Sequence, residues 1–356
     1  MPVNPTPSPV DINTVGLSWT QDNAGNFGVT QVPAALCLDG RSGRSSTTYE
    51  LPNFDNAMGK IGGLKDWEPG QAFPVERTIG STSVTFTPRG VQTRIISRPQ
   101  GRNIQQVFRD LETNLVPVLM SELMLGLDTA LYDLLGTEAN WDSTVGAGTY
   151  AVFTDGAGAP ATAALNQYSG NASQPDVDIQ TELQKLRKYQ GLNGMSLECV
   201  TNSHVLDALS RHSVYAGGGA GSGVAAALPR DEFLARFQAI HRLDRIIVMD
   251  SVTDTVNAGI ASVPNFTANG LLWFGLMDRR SAEMDLRSEG SLDAPAGAVC
   301  FAKGREPEVA TWASPGMETD SFAGRASFSL FSPRGSDFGV GFQPSGAGGI
   351  FGTLPA

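Results

Sequence analysis

Apolar residues recur at spacings of three and four along one stretch of this chain. They run from Ile104 through Val107, Phe108, Leu111, Leu115, Leu119, Leu123, Leu127 and Leu131 to Leu134 and Leu135. That period puts them on one face of an α-helix, and a face of that length has to be covered by other parts of a fold. Asn103 can cap the helix, and Gln106, three residues on, can complete a capping box. Gly136 suits the C-terminal end. Pro117 lacks an amide hydrogen and predicts a kink or a split. Unbroken, the helix would be roughly 48 Å long.

This helix begins where the charge of the chain changes sign. Between Arg77 and Arg109 there are six arginines (Arg77, Arg89, Arg94, Arg98, Arg102, Arg109) and no acid or lysine. From Asp110 to Gln184 there are eleven acids and no lysine, arginine or histidine. Soluble surfaces normally mix both signs, so the segregation calls for a cause. A molecule basic at one end and acidic at the other can bind copies of itself head to tail, and such contacts close rings or build open lattices. Arginine suits that use because its planar fork pairs carboxylates bidentately. The basic contact candidates are Arg77, Arg89, Arg94, Arg98 and Arg102. The acidic acceptor candidates are Asp110, Glu112, Glu122, Asp128, Asp133 and Glu138. Pairing within the chain and contact with packaged nucleic acid are the competing readings of the same arginines. The whole chain carries −11, which argues against a general nucleic-acid binder.

The length of 356 residues predicts two or three core units. Residues 1–45 are turn-rich and lack the periodicity for a core of their own. They read as an arm that orders against other subunits, or as a disordered tail. Thr82 to Thr87 and Val91 to Ser97 read as two strands joined by a turn at Thr87-Pro88-Arg89-Gly90. After the long helix, a short strand is expected at Thr149 to Thr154 and a helix over 177–190. A strand from Leu197 to Thr201 follows, and Asn202-Ser203 caps a short helix. Asp231 caps another helix, and a strand from Arg245 to Val252 follows it. Residues 177–260 therefore read as an α/β unit. Leu271 to Met277 is a buried strand. Further strands are expected near 282–286, 299–302, 309–312 and 326–331, and residues 332–356 return to Gly, Ser and Pro.

The inventory for catalysis is thin. His204, His212 and His241 lack metal-ligand spacing. The chain has no G-x-S-x-G nucleophile turn, and Gly217 to Gly223 lacks the Gly-Lys-Ser/Thr of a phosphate loop. Cys37, Cys199 and Cys300 are odd in number and far apart, and read as buried thiols. No enzyme activity, cofactor or metal is expected. The N-terminal residues lack the pattern of a signal peptide, and no apolar run is long enough to span a membrane.

The order of parts resembles the major capsid proteins of tailed bacteriophages, the HK97-like fold. Asn103 to Leu135 is similar to the family's spine helix. CVTNSHVLDALSRHSVYAG (199–217) is similar to its strand–helix step, and DEFLARFQAIHRLDRIIVMDSV (231–252) to the helix and strand that follow. GLLWFGLMDRRSAEMDLRSEGS (270–291) is similar to the next strand and its turn into the C-terminal strands. The resemblance covers most of residues 46–335 as architecture, without one diagnostic motif. It implies an α+β fold with an N-terminal arm (1–45), an extended β-hairpin or E-loop (46–102) and a peripheral domain with the spine helix (103–170). An α/β axial domain (171–275) follows, and C-terminal strands (276–356) complete both domains. It implies an axial-loop role for Gly217, Gly218, Gly219, Gly221 and Gly223, where glycine's backbone freedom would let one sequence fit rings of two sizes. It implies hexamers and pentamers of the chain in an icosahedral shell around double-stranded DNA, held without sequence specificity. Scaffolding, portal and decoration proteins are the family's further partners. The location implied is the virion, assembled in the host cytoplasm. An encapsulin-like nanocompartment of the same fold is the alternative.

Overall fold

The computed structural model describes residues 27–36, 47–53, 80–95, 102–137, 140–141, 151–152, 174–193, 195–210, 212–216, 228–253, 265–266, 271–279, 284–285, 297–314, 319–331 and 338–343. In chain order these form a 3-10 turn Gly28–Gln31, then β1 (Ala34–Leu36), β2 (Thr47–Asn53) and β3 (Gly80–Ile95). The long helix α1 (Arg102–Gly136) and β4 (Ala151–Val152) follow. Next come α2 (Pro175–Asn193), β5 (Ser196–Thr201), α3 (Ser203–Ser210), α4 (Ser213–Ala216) and α5 (Arg230–His241). The remaining strands are β6 (Arg245–Val248), β7 (Val252–Thr253), β8 (Asn265–Phe266), β9 (Leu272–Met277), β10 (Met284–Asp285), β11 (Cys300–Ser314), β12 (Thr319–Phe331) and β13 (Gly339–Gln343). The fold is mixed α+β.

The expected long helix is present, and it runs through Pro117 without splitting. Leu119, Met120, Leu123, Met124, Leu127, Leu131 and Leu135 are buried along one face. Each buried leucine contributes about 1.5–3 kcal/mol, against about 3 kcal/mol lost at one interior proline. Side chains finish the helix. Thr137 Oγ1 donates to the Asp133 carbonyl (2.6 Å), Asn140 Nδ2 to Leu134 (2.9 Å) and Trp141 Nε1 to Leu135 (3.1 Å). The carbonyls that a helix end leaves free are thereby satisfied.

The described strands form two larger sheets and a two-stranded pair, β7-β8. The larger has the order β10-β1-β11-β12-β3-β2. β1 is parallel to both β10 and β11, and the other pairs are antiparallel. α1 packs on β12, β3 and β11. The second sheet has the order β4-β13-β9-β5-β6. Its central strands β9 and β5 are almost wholly buried, which marks a sheet covered on both faces. Aromatic rings pack from its helices through the sheet. Tyr215 lies 5.4 Å from Phe237, Phe237 lies 6.5 Å from Phe274, and Phe274 lies 5.7 Å from Phe342.

Several local expectations are corrected. The turn expected at Thr87 to Gly90 does not form, because β3 is one continuous strand from Gly80 to Ile95. Its first half pairs with β2 up to Phe86, and its second half pairs with β12 from Thr87 onward. Pro88 therefore falls where β2 has ended and β3 has become an edge, the place a sheet tolerates proline. The strands expected at 299–302 and 309–312 are one strand, β11, interrupted by register shifts between Lys303 and Glu308. Helix α5 has Pro229, not Asp231, at its N-cap position, and Asp231 lies in the first turn. β6 ends at Val248, not Val252. β13 arises in the segment read as Gly-, Ser- and Pro-rich, and buries Phe338, Val340 and Phe342. The 27–32 segment of the expected arm folds onto this chain's own body, with Phe27, Val29 and Val32 buried.

Candidate assembly surface

The backbone places Arg89 and Arg94 on the half of β3 that pairs with β12, and Arg102 and Arg109 in the first turns of α1. Arg89 and Arg94 stand opposite Ala326 and Ser321 of β12, and Arg102 opens α1. Asp110 and Glu112 follow within the same helix. The sign change read from the sequence thus falls within the first turns of one rigid element. Arg77, Arg98, Glu138 and the loop glycines Gly217, Gly218, Gly219, Gly221 and Gly223 lie outside the described residues.

The remaining acceptor candidates divide. Glu122 and Asp133 are exposed on the face of α1 opposite its buried stripe, and neither forms an ion pair among the described residues. Their position leaves them open to a neighbour. Asp128 is corrected. It is fully buried on the inner face, where its carboxylate accepts from the backbone amides of Gly28 (3.2 Å) and Val29 (2.8 Å). A side chain enclosed by its own chain offers nothing to a partner's arginine. The period of the helix carries the reason, because position 128 falls beside Leu127 and Leu131 on the apolar side.

Elsewhere in the fold lies a polar junction that sequence reasoning missed. Glu198 is the only acid in β5 and is fully buried. The Arg279 guanidinium pairs with it through two bonds, one of them Nη2 to Oε2 at 2.7 Å, and Ser196 Oγ donates to Oε1 at 2.6 Å. The same guanidinium donates to the carbonyl of Gln31 at 2.6 Å. The N-terminal turn is therefore held at one end by Asp128 of α1 and at the other by Arg279 beyond β9. A signal was available: a charge inside the apolar run Leu197 to Thr201 must be paired once that strand is buried.

Short polar side chains tie down strand and helix ends. Asn202 Oδ1 accepts from the Val205 amide (2.9 Å), as the sequence predicts for α3. Asp250 accepts from the Ser203 amide (2.8 Å) and its hydroxyl. Asp244 accepts from the Leu197 amide (2.6 Å). His241 is buried against Phe237, with its Nε2 2.8 Å from the Tyr215 hydroxyl. Burial, with a smaller push from Arg187, lowers its imidazole to about 3, so it is neutral in the folded chain. Among the described residues no three metal-ligating side chains converge, and no helix is long and apolar enough to cross a membrane. Among the described residues, these polar groups hold elements of the chain together.

No protein family and no curated protein matches the chain in sequence. In three dimensions the chain is similar to a phage-related protein from Bordetella bronchiseptica RB50. The TM-score is 0.62 at 10% identity, over 95% of this chain and 97% of that one. Likenesses with lower scores include a virus-like particle from Pyrococcus furiosus (TM-score 0.48, 8% identity, 94% and 98% of the two chains). The capsid of an empty GTA particle is another (0.48, 14%, 90% and 89%). The mixed α+β class expected from the sequence is present, and the fold shared with the phage-related protein spans nearly the whole of both chains.

Proposed function

We propose that this chain is a major capsid protein of the HK97 type, whose copies assemble into hexamers and pentamers of an icosahedral shell enclosing double-stranded DNA. The observation that carries this reading is the fold shared with a phage-related protein over 95% of the chain. The segregation of charge supports it independently. β3 and its arginines form the extended limb, residues 46–102, that lies on an adjacent copy. Glu122 and Asp133 stand exposed on α1 as acceptors, and Asp110 and Glu112 of the same helix complete the set. Residues 1–45 form the arm, residues 103–170 the peripheral domain and residues 171–275 the axial domain. The strands from 276 onward complete both.

Such a subunit acts by geometry and not by turnover. Exposed ion pairs contribute only about 0–1 kcal/mol each, so the charges choose partner and orientation while apolar burial supplies most of the binding. Many weak contacts made together close the shell. Scaffolding, portal and decoration proteins are its further partners, and the virion its location.

Electron microscopy of the purified protein tests the proposal. Closed shells of uniform diameter are expected, and nucleic acid inside shells recovered from infected cells. Monodisperse monomers under every assembly condition would overturn it. Shells that enclose a copurifying enzyme and no DNA would point to a nanocompartment instead.

A further inference from the structure

Helix α5 ends in a geometry that its sequence does not favour. Its last turn closes with the Arg242 amide on the Ala239 carbonyl (3.4 Å) and the Leu243 amide on the Gln238 carbonyl (3.0 Å). That pair of bonds puts Arg242 in the left-handed region, at φ 46° and ψ 48°. Glycine is the usual residue there, because a Cβ is strained in that region. Arg242 is the only non-glycine residue with a positive φ among the described residues, and its side chain is exposed.

A second arginine is held against the same peptide bond. From α2, Arg187 Nη2 donates to the His241 carbonyl at 2.6 Å, and that carbonyl belongs to the bond that opens Arg242. Burial, and the Arg242 charge beside it, pull the Arg187 guanidinium below the usual arginine range. Arg245 stands exposed three residues further on, at the start of β6. None of the three forms an ion pair among the described residues. Glu182 on α2 is engaged with Lys185, and Asp244 with the Leu197 amide. The helix dipole favours cations at this end. It accounts for neither the strained backbone nor the crowding of like charges.

The other end of α5 is the complement. Asp231 and Glu232 are exposed in its first turn and form no ion pair among the described residues, while Arg230 beside them faces Asp250. About 15 Å of helix separates these acids from Arg242, too far to pair within one copy. We infer that α5 is a head-to-tail contact, in which Arg187 and Arg242 of one copy, with Arg245 beside them, receive Asp231 and Glu232 of a second copy. It rests on the reading that copies of this chain assemble. A contact between unlike ends of one helix is heterologous, and repeated about an axis it closes a ring. The strained arginine then has a cause: backbone strain that weakens the single subunit is retained where function needs the side chain.

The whole chain and three variants test this, each by thermal melting of the free subunit and by the protein concentration at which shells form. Arg242→Gly removes the charge and relieves the backbone. Its subunit is expected to melt higher than the wild type, yet to need about fivefold more protein to assemble. Arg242→Glu is expected to fold and to form no shells. Adding Asp231→Arg and Glu232→Arg to Arg242→Glu is expected to restore them, because the two ends then exchange sign. An Arg242→Gly protein that assembles at the wild-type concentration overturns the inference, and so does a triple variant that folds but stays dispersed. Should the triple variant not fold, Arg242→Gly decides alone. Lost assembly together with a lower melting temperature in Arg242→Gly would mark the residue as structural and overturn the inference equally. Arg242→Gly shells that form normally but lose their nucleic acid would overturn it in favour of a contact with DNA. A wild type that forms no shells under any condition sinks the capsid reading, and this contact with it.

Discussion

Arg279 and Glu198, 81 positions apart in sequence, form an ion pair whose acid is fully buried and whose base also holds the Gln31 carbonyl. This one guanidinium joins three parts of the chain: the strand β5, the segment after β9 and the N-terminal turn. Replacing Arg279 by methionine is expected to cost about 3–5 kcal/mol, because it leaves Glu198 enclosed and unpaired. The double variant Arg279→Met, Glu198→Met is expected to recover most of that loss. Urea unfolding of the three proteins measures both effects, and a double variant no more stable than the single one would contradict the argument.

Acid should weaken the fold through His241. Its imidazole is lowered to about 3 in the folded chain, against about 6.5 when free. A base with a lowered value takes up its proton on unfolding. The stability it contributes is complete above about pH 6.5 and drains away as pH falls toward 3. Denaturation midpoints measured over that interval should decline in the wild type and decline less steeply in His241→Gln.

Two glycines sit where a tryptophan ring leaves no room. A Cβ on Gly275 would lie 2.1 Å from the Trp273 ring, and one on Gly339 would meet both Trp273 and Trp141 at under 3 Å. Gly275→Ala is expected to destabilise by about 1–3 kcal/mol, since the ring is enclosed and must shift. Calorimetry of Gly275→Ala beside Gly126→Ala provides the comparison, because nothing stands within 4 Å of a Cβ at Gly126.

Cys199 and Cys300 are buried, and burial pushes both thiols far above the ordinary cysteine range. Neither is expected to react with iodoacetamide in the native chain, while both react in denaturant. Mass spectrometry of the labelled peptides reads the outcome.

Reversal of Arg89 and Arg94 to glutamate tests the docking limb. The double variant is expected to keep its circular dichroism spectrum and melting temperature but to form no shells. Normal shells would remove these arginines from the proposed contact, and rescue by Glu122→Arg or Asp133→Arg would locate their partner.

The most legible parts of the sequence were those governed by short-range periodicity. The α1 stripe announces itself because leucines three and four apart must share a face, and β5 and β9 because continuous apolar runs must be enclosed. Asn202 was legible as a cap because its side chain reaches an amide only three residues away. The split of β3 between two partners was not legible: Pro88-Arg89-Gly90 has turn chemistry, and only the pairing of its flanks with β2 and β12 holds it extended. β13 was missed because Gly339 and Gly341 dilute its hydrophobic pattern, although Gly339 fits against the Trp273 and Trp141 rings.

The same contrast separates the two charged groups in the candidate site. Sequence order alone settles that the arginines come first and the acids follow, because charge content does not depend on folding. Position 128 was open in sequence, since an aspartate between leucines can be a surface acid or a buried one. Tertiary structure decided it, by bringing the Gly28 and Val29 amides, a hundred residues away, onto its two oxygens. Periodicity acts over one or two turns and is written in neighbouring residues; the partner of a buried charge is chosen by whichever distant backbone the packed core delivers to it.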